Sequence, residues 1–587
     1  MISHTEQKEG FFEVLSSQED VNVSLDVTQI EDGLYHYTLE IQSIVPKQFI
    51  PVSLQCKIVA HDVMGVWHPN ALQDKRLRAD WEAPSIVSSA TVGAPVINVF
   101  GHGDQNRLTI ACSDSINPIQ LEVPVREEDN LLYGKITFFT EPLAPATEYK
   151  VEIRVDTRPI PFSDCLKQVG IWWDGLAEGH LRVPPESAEP VYSTWYSFHQ
   201  NLHEEGLLSE CLHSKEMGYK VLIIDDGWQT RDSNRGYDYT GDWNSDRFPD
   251  FRKLVDKIHQ LDMKVMIWYS VPFCGVKSQA YQLFKGKFLT ENHRWAPVFD
   301  PRYPEVRDYL IHQYTEAIQK WDLDGFKLDF IDDFKVYPDT PMEPSPERDY
   351  LSVYSATERL MQDVYLSLSK IKPDVLIEFR QEFIGPAMQK HANMFRAFDC
   401  PNDSLTNRMR TTDTRLLSPR ARIHSDMLTW HHEEPVELAA LQFLSILFSI
   451  PQLSVRLEET KEEHIKMIHF LTQFWRSRKE ILLEGDFRPL RPLLNYPTLE
   501  SALNGKLVVG FYEEILHHIH GSYQQIDLVN ASPGTEVYCK FAQAQGHFIA
   551  QVYDCMGNLV NEEELQIDAG LAVISIPRSG IAMLKKR

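Results

Sequence analysis

The sequence contains no pair of cysteines spaced for a metal site or a redox motif, although it has eight cysteines in 587 residues. Widely separated thiols in a large chain mostly behave as small buried hydrophobic side chains. Walker loops, GxSxG nucleophile elbows, HExxH zinc motifs and dinucleotide-binding fingerprints are missing as well. We therefore expect no metal ion and no cofactor.

Positive charge is scarce relative to negative charge. Lys and Arg total 58 against 84 Asp and Glu, which gives a formal net charge of -26 at pH 7. This balance argues against nucleic acid or an anionic membrane as the main partner. No apolar run is long enough to cross a bilayer, and the first ten residues are polar and lack the apolar segment of a signal peptide. We expect a cytoplasmic protein; its oligomeric state stays open.

The chain is too long for one hydrophobic core, so two to four domains are expected. Residues 1–165 carry alternating runs separated by turn clusters, which predicts a β-sandwich. Residues 166–480 are expected to form a separate central domain. Residues 481–587 return to strand-like runs and predict a small C-terminal β-sandwich.

The central region alternates short apolar runs with segments of helical period, a pattern typical of βα units and a parallel sheet. Candidate strands lie at 191–195, 220–224, 264–269, 296–299, 325–330, 375–379, 394–398 and 423–428. Eight such strands within about 300 residues predict a (β/α)₈ TIM barrel.

Acidic residues follow several of these candidate strands. They are Asp225, Asp226, Asp329, Asp399, Asp403 and Asp426. Any one of them could instead cap a helix. Catalytic groups of such barrels lie where strands end and loops begin, so acids at the ends of four strands predict one polar pocket. Buried carboxylates need partners, and Lys327 and Arg396 lie beside these acids in the sequence.

Several motifs resemble those of α-galactosidases in glycoside hydrolase families 27 and 36, which share a clan. They are Lys327-Leu-Asp329, Asp225-Asp-Gly-Trp228, Gly241-Asp-Trp243, Phe248-Pro249, Met263-Lys-Val-Met-Ile-Trp268 and Asp426-Met-Leu428. Together they cover nearly the whole predicted barrel, in the family's order. A β-rich region before the barrel favours family 36.

The resemblance implies a retaining exo-α-galactosidase that acts on α-galactoside oligosaccharides or glycosides. Asp329 matches the nucleophile and Asp399 the general acid/base. The positions that match substrate-binding residues are Asp225, Asp226, Trp195, Trp268, Lys327, Arg396 and, less closely, Asp426. Retaining glycosidases need one ionised and one protonated carboxyl group about 5–5.5 Å apart. Lys327 beside Asp329 would favour the ionised form of that carboxyl group.

Two segments depart from the family 36 pattern. The run 398–403 lacks the family's Ser-Asp-x-Thr-Asp motif, so Asp403 is an alternative acid. The run 378–382 reads Glu-Phe-Arg-Gln-Glu instead of a Cys-Ser-Ser-Gly-Gly type loop, which faces the sugar's 2-position in the family. Arg380 is therefore a further candidate for substrate binding. Asp332 and Asp333 are interpreted as part of a solvated loop.

Other functions stay open at this point. The same two aspartates would serve an α-galactosyltransferase or an α-N-acetylgalactosaminidase. A metal-dependent barrel hydrolase would lose its activity to chelators. A non-catalytic sugar-binding protein would tolerate the loss of either Asp329 or Asp399.

Overall fold

The computed structural model describes residues 5–9, 11–177, 181–380 and 383–587. Gln381 and Glu382, which belong to the segment expected to face the sugar's 2-position, lie outside the described residues. Residues 1–4 and 10, within the segment inspected for a signal peptide, also lie outside them. In the described ranges, no helix is both long enough and apolar enough to cross a lipid bilayer.

The N-terminal region is a sandwich of two antiparallel sheets, as predicted. One sheet contains Thr5–Glu9, Phe12–Ser16, Val52–Val59, Leu131–Phe138, Ile119–Glu122, Ile86–Ser88 and Val125–Arg126. The other contains Asn22–Glu31, Leu34–Lys47, Ala146–Asp156, Asn106–Cys112, Val96–Phe100 and Gly65–Trp67. Alternate residues such as Tyr37, Leu39 and Ile41 are buried in the shared core. This period of two is what one buried sheet face requires.

The central region is a parallel eight-stranded barrel, which confirms the predicted fold class. In chain order its strands are Val191–Ser193, Val221–Ile224, Lys264–Ser270, Gly325–Asp329, Leu376–Arg380, Met394–Arg396, Arg422–His424 and Gln452–Leu453. The first strand pairs with both the second and the eighth. Bridges from His424 to Ile450 and from Leu428 to Leu453 join the seventh strand to the eighth and close the barrel.

Helices lie between these strands, and one further helix precedes the first strand and another follows the last. Those described are Phe162–Leu176, Trp195–Phe198, Glu204–Met217, Phe251–His259, Gln279–Leu283, Pro304–Trp321, Val353–Ile371, Pro386–Gln389, Ser404–Leu416, Val436–Ser445 and Glu462–Glu484. In Pro304–Trp321 the buried residues Val306, Leu310, Tyr314 and Ala317 recur every three or four positions. That spacing presents one apolar face to the barrel.

One strand assignment made from the sequence is wrong, and one barrel strand was missed. The run 296–299 contributes Val298–Phe299, which pairs antiparallel with Phe288–Thr290 outside the barrel sheet. The eighth barrel strand is instead Gln452–Leu453, which no candidate strand included. A short apolar run looks alike in a barrel and in a hairpin, and a two-residue strand is too short to show any period.

The C-terminal region is again a pair of β-sheets, as predicted. The larger contains Asp486–Leu490, Thr498–Leu503, Lys506–Phe511, Gln525–Asn530, Ile581–Lys586, Gly546–Tyr553 and Leu559–Ile567, and the smaller contains Leu516–Ile519, Glu536–Phe541 and Gly570–Ser575. The buried carboxylate of Asp413 joins the three regions: it accepts hydrogen bonds from Trp67 Nε1 at 2.9 Å and from Tyr496 Oη at 2.5 Å.

Candidate active site

The parallel strands bring the sequence-predicted polar residues to one end of the barrel. Asp329, Arg380 and Arg396 are the last residues of their strands. Asp225 and Asp226 directly follow Val221–Ile224, and Asp426 lies two residues beyond Arg422–His424. Carboxyl ends of parallel strands meet at the same face of a barrel. The predicted residues therefore form one pocket, joined by the contacts described below.

Asp329 is almost fully buried and held by donors on both carboxylate oxygens. Its Oδ2 accepts a hydrogen bond from Trp268 Nε1 at 2.9 Å, and its Oδ1 accepts one from the backbone N–H of Phe330 at 2.8 Å. Arg380 Nε lies 2.6 Å from Oδ1. Burial by itself would raise the pKa of Asp329, but Arg380 and Lys327 outweigh it and lower that pKa below its ordinary value. Asp329 is therefore a carboxylate at neutral pH.

Lys327 connects Asp329 with the acids that follow the second strand. Its Nζ lies 2.7 Å from Asp225 Oδ2 and 3.8 Å from Asp329 Oδ2. Burial would lower the pKa of Lys327, but the Asp225 carboxylate more than compensates and raises it. Lys327 is thus a permanent cation between two carboxylates.

Asp399 lies beside two arginines. It is more accessible than Asp225, Asp329 and Asp426, with 38% of its side chain exposed. Arg396 Nη2 donates a hydrogen bond to Oδ1 at 2.7 Å, and Arg380 Nη1 lies 3.9 Å from Oδ2. Burial acts to raise the pKa of Asp399, but Arg396, Arg380 and Lys327 together bring that pKa well below its ordinary value. Asp399 is ionised in the ligand-free protein.

Asp403, the alternative acid, caps a helix. It is the N-cap of helix Ser404–Leu416, and its Oδ1 accepts a hydrogen bond from the backbone N–H of Thr406 at 2.9 Å. Capping bonds of this kind satisfy an otherwise unpaired donor at a helix start. This position favours Asp399 over Asp403 as the acid.

Asp426 supports the segment that carries Asp399. Its Oδ1 is ion-paired with Arg396 Nη1, and its Oδ2 accepts hydrogen bonds from the backbone N–H of Cys400 at 2.7 Å and from Tyr196 Oη at 3.1 Å. Burial raises the pKa of Asp426 to about 6. Arg396 is completely buried between Asp426 and Asp399, so it orients the second carboxylate.

Asp226 is held by neutral donors rather than by cations. Its two oxygens accept hydrogen bonds from the side-chain amides of Gln200 and Gln229, each at 2.7 Å. Burial raises its pKa to about 7. Sequence reasoning missed both glutamines; the signal for Gln229 was its place three residues after Asp226 in the strand-end motif.

The two tryptophans predicted as walls of a sugar pocket occupy different environments. Trp268 is 1% exposed, and Tyr237 stacks on it with ring centroids 5.9 Å apart. Trp195 begins the short helix Trp195–Phe198 instead of ending a strand, and the Arg235 guanidinium lies over its ring at 5.4 Å. Tyr237 was not predicted, because it lies in a loop of the chain without a strand-end pattern.

The interpretation of Asp332 and Asp333 as a solvated loop is wrong. They form the short 3₁₀ helix Ile331–Asp333, in which Asp333 is buried. Asp332 Oδ1 lies 3.3 Å from Arg380 Nη2, and burial raises the pKa of Asp332 to about 6. Asp332 therefore belongs to the same pocket.

His431, His432 and Glu433 have ligand atoms within 4.8 Å of one another, the one such group with the spacing of a metal site in the described parts of the chain. All three are exposed, and none belongs to the acids described above. The chemistry that the pocket itself offers is that of paired carboxylates.

Comparisons with known proteins find glycoside hydrolases. The model of the glycosyl hydrolases family 31 TIM-barrel domain matches residues 192–385, a range that includes Asp329 and ends before Asp399. Probable α-galactosidase C of Aspergillus flavus is 27% identical over 207 residues, which are 32% of this chain and 26% of that protein. The chain thus spans about a quarter of the length of this curated relative.

Solved structures match the fold over nearly the whole chain. A variant of the family 36 α-galactosidase AgaA from Geobacillus stearothermophilus, in complex with raffinose, has a TM-score of 0.67 at 14% identity and covers 99% of this chain and 84% of that one. A family 31 sulfoquinovosidase from E. rectale has a TM-score of 0.62 at 11% identity and covers 99% and 89%. The chain therefore resembles α-galactosidases in the sequence of its barrel and in its overall fold.

Proposed function

We propose that the chain is a retaining exo-α-galactosidase, which hydrolyses terminal α-linked galactose through a covalent glycosyl-enzyme intermediate. The observation that carries the proposal is that Asp329 and Asp399 lie within 2.6 and 3.9 Å of one guanidinium, that of Arg380, at the mouth of the barrel. A retaining glycosidase needs two carboxyl groups close together, one as the nucleophile and one as the acid and base. The resemblance of the barrel to α-galactosidases supports the choice of sugar.

In the first step, the Asp329 carboxylate attacks the anomeric carbon and forms an ester with it. Protonated Asp399 gives its proton to the glycosidic oxygen as the carbon–oxygen bond breaks, and the aglycone leaves as an alcohol. The hydrogen bonds from Trp268 and from the Phe330 amide orient the attacking carboxylate. Its lowered pKa keeps it ionised at neutral pH.

In the second step, Asp399 has become a carboxylate and takes a proton from water, which attacks the same carbon and displaces the Asp329 carboxylate by breaking the ester bond. Galactose with retained α-configuration leaves, and both aspartates return to their starting states. The lowered pKa of Asp399 in the ligand-free protein keeps it ionised, which is the form that the base role requires. Since the first step requires its protonated form, turnover of substrates with poor leaving groups should fall as the pH rises.

The Asp225–Asp226 pair is proposed to recognise the 4- and 6-hydroxyls of galactose. Asp225 is anchored by Lys327 at 2.7 Å and Asp226 by two amides. A carboxyl group with a pKa of about 7, as burial gives Asp226, can either accept or donate a hydrogen bond near neutral pH.

A panel of nitrophenyl α- and β-glycosides tests the proposal. We expect turnover of the α-galactoside alone, with α-galactose as the first anomer seen by NMR and raffinose as a further substrate. β-Galactose as the first product would contradict retention. Galactosyl transfer in the presence of a sugar acceptor, or a preference for the α-N-acetylgalactosaminide, would select one of the alternatives. Loss of activity with a chelator would point to a metal-dependent hydrolase.

A further inference from the structure

Arg380 makes its nearest polar contacts with protein carboxylates. Its guanidinium lies 2.6 Å from Asp329, 3.3 Å from Asp332 and 3.9 Å from Asp399, and its side chain is 6% exposed. A guanidinium presents five N–H donors in a rigid plane, so a single side chain can address several carboxylates at once. Arg380 spans the two proposed catalytic groups.

Two phenylalanines hold this guanidinium from its flanks. The Arg380 Cζ atom lies 4.5 Å from the ring centroid of Phe330 and 4.4 Å from that of Phe398. Phe330 directly follows Asp329, and Phe398 directly precedes Asp399. Each aspartate therefore has a neighbour in the chain whose ring contacts the same guanidinium.

The backbone at Phe330 is strained in a way that fits this arrangement. Its φ is +63°, in the left-handed region that a bulky side chain rarely adopts. Such strain persists only where surrounding contacts enforce it, and it concentrates at functional sites. Here the same residue donates its N–H to Asp329 and places its ring on Arg380.

We propose that Arg380 is a positioning residue: held between Phe330 and Phe398, its guanidinium fixes the nucleophile Asp329 and the acid Asp399 relative to each other. This inference rests on the proposed function and revises the expectation that Arg380 binds substrate. Lysine cannot replace it, because an ammonium group lacks the rigid, planar set of five donors that addresses several carboxylates at once.

Arg380→Ala should lower kcat about 10²-fold, as expected when a reacting group loses its alignment, with little change in KM. Removing the cation also raises the pKa of Asp329, since Arg380 is the main group that lowers it. The acid limb of kcat/KM for an activated aryl α-galactoside should therefore move to higher pH. In Arg380→Lys the retained positive charge should move the acid limb part of the way back to lower pH, but kcat should stay low.

Added guanidinium ion should restore activity to Arg380→Ala, while methylammonium at the same concentration should not. Phe398→Leu in the Arg380→Ala background should weaken that rescue. Arg410→Ala is the matched control, because the Arg410 guanidinium also lies over Phe398, at 4.9 Å, and Arg410 has no part in the proposed mechanism. That variant should leave the acid limb in place.

Binding of guanidinium, measured without substrate, tests the role of Arg380 independently of the proposed function. Guanidinium at low, non-denaturing concentration should raise the Tm of Arg380→Ala but not that of the unmodified protein, whatever substrate the protein uses. A rise in KM alone, a fully active Arg380→Lys, or the absence of rescue in both rate and Tm would overturn the role of Arg380. If Arg380→Ala does not fold by circular dichroism, Arg380→Gln takes its place. Failure of the unmodified protein to hydrolyse α-galactosides would instead overturn the proposed function.

Discussion

Asp226 and Asp329 are buried to nearly the same extent, 2% and 5% exposed, at the ends of two strands of the same barrel. Their ionisation nevertheless differs. Asp226 is surrounded by amide donors, and burial raises its pKa to about 7. Asp329 faces Arg380 and Lys327, which overcome the same burial and lower its pKa.

The difference shows that burial alone does not determine the pKa of a carboxyl group in this pocket. A nearby cation reverses the effect of burial, whereas a neutral amide satisfies the hydrogen bonds without cancelling the cost of charge. The cationic side of the pocket keeps Asp329 and Asp399 ionised, which is the form that the proposed nucleophile requires. The amide side, containing Asp226, is suited to recognising hydroxyl groups.

The largest effect is expected from removing charge on the cationic side. Asp329→Asn should lower kcat by roughly 10⁴-fold or more, because an amide cannot attack the anomeric carbon. Steady-state rates on nitrophenyl α-galactoside measure this loss. Asp403→Asn, at an exposed helix cap, is the control that should stay active. A well-folded Asp329→Asn protein with near-normal turnover would exclude Asp329 as the nucleophile.

Asp399→Ala should slow substrates with poor leaving groups by about 10²- to 10⁴-fold and activated aryl glycosides much less. A good leaving group needs little protonation in the transition state. Azide should partly restore turnover by intercepting the glycosyl-enzyme. Comparing raffinose with an aryl α-galactoside provides the measurement. The same pattern in Asp403→Ala, with none in Asp399→Ala, would reverse the assignment of the acid.

On the amide side, Asp226→Ala should reduce selectivity rather than abolish chemistry. A site built to bind the axial 4-hydroxyl of galactose can favour it over glucose by about 10⁴-fold. Loss of one buried acceptor, worth about 1–3 kcal/mol, should cut the ratio of kcat/KM for the two α-glycosides by about 10- to 100-fold. Equal rates on both sugars in the unmodified protein would refute this role for the pair.

The smallest effect concerns stability. Because the pKa of Asp226 is raised from its ordinary value to about 7, its contribution to folding is complete below pH 4 and is lost as the pH rises through about 7. The Tm of Asp226→Asn should therefore fall less between pH 5 and pH 8 than that of the unmodified protein, by roughly a few degrees. Asp329, whose pKa is lowered, should show the opposite sign, losing its contribution as the pH falls. Parallel Tm-versus-pH curves for the unmodified protein and Asp226→Asn would contradict the assigned environment.

Much of the fold was predictable because its periods are local. Alternating strands at both ends and βα units between them appear in windows of ten to twenty residues. The full set of barrel strands was not predictable, because the eighth strand, Gln452–Leu453, is defined only by the strands that pair with it on either side. The run at 296–299 failed for the same reason: pairing partners, not composition, decide whether an apolar run joins a barrel.

By itself, the sequence determined which acids follow strands, and parallel strands then required Asp225, Asp226, Asp329, Asp399 and Asp426 to lie at one end of the barrel. The tertiary structure completed the surroundings that decide how each acid is ionised, because some of these neighbours are distant in the chain: Gln200 for Asp226, and Arg380 for Asp329. It also brought Arg380 against the rings of Phe330 and Phe398. The position of an acid at the end of a strand follows from local patterns, whereas a pKa depends on distances of a few ångströms between side chains, which only the folded chain sets.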